Sequence, residues 1–215
     1  MKVVASRAAE GRAHRRRRLV VTASVLLVYC CSAFASDPSL DLSQYGHTAW
    51  KVRDGVIKTK VLAISQTPDG YLWLGTDSGL FRFDGVAAIP WQPPAGAHLP
   101  GKYIPALMVT RDGTLWIGTH TGVASWKDGR LTNYPELAGQ NTDVLLQDSQ
   151  GTVWLGVDAP ARVCKIQNGK PLCEGAGELG VSDGSMYEDR HRNLWVLTQN
   201  GLWRWSPGPP ERYPV

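Results

Sequence analysis

From residue 61 onward the apolar positions fall in runs of four to six, separated by turn residues, and the spacing recurs. The first stretch predicts four short strands: Val61 to Gln66, Tyr71 to Thr76, Leu80 to Phe83 and Val86 to Trp91. Pro68-Asp69-Gly70 closes the first of them. Short apolar runs bounded by Gly, Pro, Asp and Asn are the pattern of antiparallel strands joined by tight turns. Beyond residue 36 no segment keeps an amphipathic 3.6-residue period over ten or more positions, so the expected class is all-β.

The same stretch then repeats. Trp73, Trp116, Trp154 and Trp195 recur at intervals of 43, 38 and 41 residues, the period of a four-stranded β-propeller blade. Four repeats are expected at about 61–92, 103–136, 142–175 and 184–215. Asp84-Gly85, Asp128-Gly129 and Asn168-Gly169 recur between the third and fourth strands, where they supply the positive φ of a two-residue hairpin turn. Thr76-Asp77-Ser78-Gly79, Thr119-His120-Thr121-Gly122 and Thr198-Gln199-Asn200-Gly201 recur between the second and third. Their closing glycine predicts a type I turn with a bulge. A two-residue turn at Asn168-Gly169 sets Cys164 opposite Cys173 in a close, non-hydrogen-bonded pair, within disulfide reach. The alternative is two unpaired small apolar side chains; an oxidising location favours the bond, as a staple of one hairpin.

Ahead of the repeats, residues 1–35 read as a secretory signal peptide. Met1 to Arg18 carry seven basic side chains against Glu10, Leu19 to Cys31 are apolar but short for a ~30 Å hydrocarbon core, and Ala33-Phe34-Ala35 offers a cleavage site after Ala35. An uncleaved membrane anchor is the alternative. The chain's net charge of +4 belongs to this leader; the remainder is about −2, which removes any net-charge argument for nucleic acid. Residues 36–60 form an N-terminal segment expected to supply an outer strand.

At the repeats the sequence resembles the two-component regulator propeller family, whose blades carry D-x-x-G-x-L-W-I-G-T-x-x-G-L-x-R-F-D-G. Asp69 to Gly85 is similar to it almost throughout and Asp112 to Gly129 is similar over most of its length. The third repeat departs at Val157-Asp158-Ala159-Pro160, and the fourth reads Val196-Leu197-Thr198 after its tryptophan. The resemblance implies the periplasmic sensor of a membrane-bound histidine kinase, hybrid kinase or diguanylate cyclase, with the output domain elsewhere. It implies larger rings, so four blades are expected to form an incomplete ring. The chain stops on Arg212-Tyr213-Pro214-Val215, inside an expected fourth strand, and reads as the N-terminal part of a longer receptor.

The repeat tryptophans, set between aliphatic residues, are expected to fill the core between blades rather than hold sugars. Trp91, Trp126, Trp203 and Trp205 are expected to pack as well. Ligand-binding residues are expected on the rim formed by the second-to-third-strand turns: Asp77, Ser78, His120, Thr121, Asp158, Gln199 and Asn200, with the linker Gln92 to Lys102 and the Ser182-Asp183 link. The expected ligand is a carbohydrate or another small periplasmic molecule, with no cofactor, no metal and no nucleic acid; membrane contact would come only through an uncleaved leader or parts beyond this sequence. Catalysis has little support, since no serine sits in a nucleophile-elbow pattern and the histidines lack metal-ligand spacing. A small exported lyase-like propeller enzyme, for which His120 would need an acid or metal partner, is the second reading. A nonfunctional truncation is the third.

Overall fold

The computed structural model describes residue 50 and residues 57–158, 160–175, 179 and 185–213. Among these, sixteen strands make four antiparallel sheets, each in simple sequential order. The first holds β1 (Val61–Gln66), β2 (Leu72–Thr76), β3 (Leu80–Phe83) and β4 (Ala88–Pro90). The second holds β5 (Ala106–Val109), β6 (Leu115–Thr119), β7 (Gly122–Lys127) and β8 (Arg130–Asn133), and is followed by a 3₁₀ turn at Pro135–Leu137. The third holds β9 (Thr142–Gln147), β10 (Val153–Val157), β11 (Arg162–Gln167) and β12 (Lys170–Glu174). The fourth holds β13 (Met186–Glu188), β14 (Leu194–Thr198), β15 (Gly201–Ser206) and β16 (Glu211–Tyr213). The expected leader, residues 51–56 and the Ser182-Asp183 link lie outside the described residues.

First strands pack beside first strands: β1 by β5, β5 by β9, β9 by β13. No comparable packing joins β13 back to β1 among the described residues, so the four blades form an open arc. Three apolar clusters fill its three junctions. Trp73 packs with Leu115 and Ile117 of the second blade, Trp116 with Val153, Leu155 and Val157 of the third, and Trp154 with Leu194 and Val196 of the fourth. Trp73, Trp116 and Trp154 are thus buried at 4–9 % exposure, and Trp203 and Trp205 at 8 % and 6 %. Trp91 and Trp126 are half-buried against the first junction. Trp195 projects from the far side of the fourth blade, is only half-buried and packs edge-on against Tyr213.

The glycine two places after Trp73 and after Trp116 has a packing cause. A Cβ on Gly75 would stand 2.7 Å from the Ile104 carbonyl oxygen, and one on Gly118 would stand 2.5 Å from that of Thr142. The next blade's backbone therefore lies directly on this position. In the fourth blade the position is Leu197, which is 46 % exposed.

Two turn expectations need revision. Asp128-Gly129 and Asn168-Gly169 are two-residue turns with both φ positive (48° and 79°, 51° and 73°). In the first blade, however, β3 pairs Phe83 with Ala88, so the connection spans four residues. There the Asp84 carboxylate accepts from the Val86 and Ala87 amides at 2.8 Å each, which closes a wider turn without a second positive φ. In the turns between second and third strands the closing glycine is not a bulge. The ladder keeps register through Thr119↔Gly122 and Thr198↔Gly201, and Gly79, Gly122 and Gly201 adopt φ of 144°, 143° and 122°. The register shifts lie elsewhere, for instance at Val61/Ala63 and Gly156/Val157.

Candidate functional site

One end of the arc is occupied by structural hydrogen bonds. In the turn from β9 to β10, Asp148 accepts from the Gln150 amide (3.0 Å), the Thr152 amide (2.8 Å) and the Trp154 indole (2.8 Å). Asp189 does the same in the fourth blade, with the Trp195 indole at 2.9 Å. In the first blade the Thr67 hydroxyl takes the Trp73 indole at 3.0 Å. A residue six places before the tryptophan thus satisfies the buried indole N–H, a role that sequence reasoning missed although the spacing is visible. Neighbouring turns at this end are also tied together. Arg111 donates to the Asp148 and Ser149 carbonyls (2.9 and 3.2 Å), and Ser149 donates through its amide and hydroxyl to Glu188 (2.5 and 2.7 Å). Bonds donated to these carboxylates hold Asp112 (Lys127 foremost) and Asp189 (Trp195 foremost) far below the ordinary carboxylate range.

The opposite rim presents side chains instead. A threonine staple fixes each regular turn there: Thr76, Thr119 and Thr198 donate to the carbonyls of Gly79, Gly122 and Gly201 at 2.7, 2.8 and 3.2 Å. The same hydroxyls accept from the amides of Ser78, Thr121 and Asn200. With the threonine spent on the backbone, the two middle residues point outward, and Asp77, Ser78, His120, Thr121, Gln199 and Asn200 are exposed while Asp158 is half-buried.

The structure pairs several of them with the residue leading into the first strand of the same blade. The Asp77, His120 and Asp158 amides donate to the carbonyls of Lys60 (3.2 Å), Tyr103 (3.2 Å) and Asn141 (3.0 Å). Thr59 hydrogen-bonds Asp77 and accepts from Ser78 at 2.8 Å, and Asn141 donates to the Asp158 carboxylate at 3.0 Å. The His120 ring lies on Tyr103, centroids 4.1 Å apart, and Tyr103 is 36 % exposed. Tyr103, Thr59 and Asn141 therefore belong to the rim. Their signal in the sequence was position alone, just ahead of each first strand. Thr121 instead donates to the Pro100 carbonyl at 2.6 Å and anchors the linker between blades one and two. Cys164 and Cys173 face each other across β11 and β12 and are joined by a disulfide, away from the rim.

The Two component regulator propeller family is matched over residues 55–78 and 98–121. Those two segments are similar to two component regulator propeller repeats. Each matched segment runs through a first strand and a second strand and ends inside the rim turn, at Ser78 or Thr121. Among solved structures, the extracellular domain of BT4673 from B. thetaiotaomicron, described as a one component system, is similar at 19 % identity and a TM-score of 0.62. The match covers 80 % of this chain and 24 % of that one, so this chain spans about a quarter of that domain's length. Virginiamycin B lyase from Staphylococcus aureus is similar at 15 % identity and a TM-score of 0.56, over 74 % of this chain and 57 % of the lyase. A streptogramin B lyase gives 17 % identity and 0.59, over 72 % and 54 %. At these identities the likeness is one of fold. No curated protein matches the chain.

Proposed function

We propose that these regulator propeller repeats form an exported binding module of a two-component-type receptor. The module holds a small ligand of carbohydrate type on the rim of second-to-third-strand turns and catalyses no reaction on it. The observation that carries this is the exposed Tyr103–His120 ring pair, set on a stapled turn of the rim whose other turns expose hydroxyl, amide and carboxylate side chains. A flat ring with polar neighbours is suited to a sugar face and its hydroxyls, and variable side chains on a stapled scaffold are where binding resides. Trp73, Trp116 and Trp154 are committed to the blade junctions, and the other end of the arc to its own hydrogen bonds. The basic, then apolar, leader supports export. The lyase likeness is one of fold, and His120 packs on an aromatic ring rather than on an acid.

The test is calorimetric titration of the chain with neutral malto-, cello- and xylo-oligosaccharides, followed by mass spectrometry of the recovered sugar. At least one series is expected to bind and to be recovered intact, with His120→Ala and Tyr103→Ala each weakening it about tenfold. Binding indifferent to both substitutions, no binding in any series, or a cleaved sugar would each contradict the proposal.

A further inference from the structure

The linker between blades one and two differs from the one that follows. The second link is a 3₁₀ turn, Pro135–Leu137, closed by its own backbone bonds. The first runs from Gln92 to Lys102, carries three prolines, and is pinned along its length. The Trp91 amide donates to Leu80 (2.8 Å), the Ala97 amide to Pro94 (2.9 Å) and the Ile104 amide to Thr76 (2.9 Å). Asn133 of the second blade donates to the His98 carbonyl at 3.0 Å, and Thr121 to that of Pro100 at 2.6 Å. Gly101 is seated so closely that a Cβ would meet the Thr121 hydroxyl at 2.5 Å. Leu99 enters the junction core. An irregular segment fixed at this many points is a wall rather than a flap, and it lines a half-open pocket of about 470 Å³, within the range of small-molecule sites.

The lining has a definite chemistry. Leu80, Leu99 and Trp91 supply apolar surface, and Trp91 is itself held edge-on between Trp73 (5.8 Å) and Trp126 (5.0 Å). Among the lining residues, the exposed His98 and Lys102 supply nitrogen donors, Ser78 a hydroxyl, and no carboxylate is present. The geometry points to a second binding site here, distinct from the Tyr103–His120 pair, for a small cyclic or aromatic carboxylate. The ring would lie among Trp91, Leu80 and Leu99, and the carboxylate would be taken by Lys102 and His98, a charge-assisted pairing stronger than a neutral one. The pocket opens beside the Ser78 turn, so its place in signalling rests on the reading of that rim as the binding face; its occupancy does not. Neither His120 nor Tyr103 lines it.

The full chain is titrated by calorimetry with 2-naphthoate and with its neutral isostere 2-naphthamide. One saturable site for naphthoate is expected, with the amide at least tenfold weaker. Lys102→Met and His98→Gln, both at exposed positions where folding is not at stake, are each expected to weaken naphthoate at least fivefold and to leave the amide unchanged. His120→Ala is expected to leave naphthoate binding intact, which separates failure of this site from failure of the sugar-binding rim. Equal binding of acid and amide, indifference to Lys102→Met, or no saturable site would overturn the inference.

Discussion

At the scale of single residues, side chains that seem alike in the sequence have separate tasks. Asp148 and Asp189 organise a turn and satisfy an indole; Asp77 and Asp158 stand on the rim. Asp148→Ala should therefore destabilise the fold by about 2–3 kcal/mol, the scale of hydrogen bonds to a charged acceptor plus a stranded indole N–H. Urea unfolding checks this, and Asp77→Ala serves as a near-neutral control. The depressed carboxyl groups of Asp112 and Asp189 set a pH dependence. A folded-state pKa below the unfolded value of about 4 contributes stability that is present above pH 4 and is lost as pH falls through the folded value. The urea midpoint should therefore fall as pH drops from 5 towards 2, and Asp112→Asn should flatten that slope. None of this division of labour was legible from composition. What could be read was the spacing, since a Thr or Asp stands six places before Trp73, Trp154 and Trp195.

At the scale of elements, the tryptophan, the glycine two places later and the threonine after it act as one device. The ring fills the junction, the missing Cβ admits the next blade's carbonyl, and the hydroxyl staples the turn. Gly118→Ala puts a methyl 2.5 Å from the Thr142 oxygen. The expected cost is about 1–3 kcal/mol of overpacking, seen as a lower melting temperature with unchanged strand content. In the third blade the Cys164–Cys173 bond closes a loop of about ten residues, and chain entropy gives it roughly 2–3 kcal/mol. Reduction with dithiothreitol should lower the melting temperature, whereas a Cys164→Ser/Cys173→Ser variant should not respond. Strand positions and the cysteine facing were legible because period-two patterning and a two-residue turn fix register. The first blade's wider turn was not, because Asp84-Gly85 has the same letters as Asp128-Gly129, and only the amides that Asp84 captures distinguish the two.

At the scale of the whole molecule, large apolar side chains are exposed on the first and last blades among the described residues. Ile64 is 60 % exposed on the first blade, and Tyr187 and Leu197 are 63 % and 46 % exposed on the fourth. Apolar side chains on open sheets favour association. Sedimentation should show self-association rising with concentration, and Tyr187→Lys with Leu197→Lys should shift the chain towards monomer. Periodicity showed how many blades there are and pointed to the rim, but not to the ring pair on it. Tyr103 and His120 are 17 positions apart, and only the pairing of β5 with β6 brings their rings together. The central claim is that the repeat tryptophans build the scaffold while the rim does the binding. Hydrogen exchange of the tryptophan indole N–H groups, followed by nitrogen-15 NMR, tests it most directly. Trp73 and Trp154 should exchange slowly, at rates that track global unfolding, and Trp195 should exchange faster. Uniformly fast exchange at all three would mean that the rings are open to solvent and ligand, and would contradict the account.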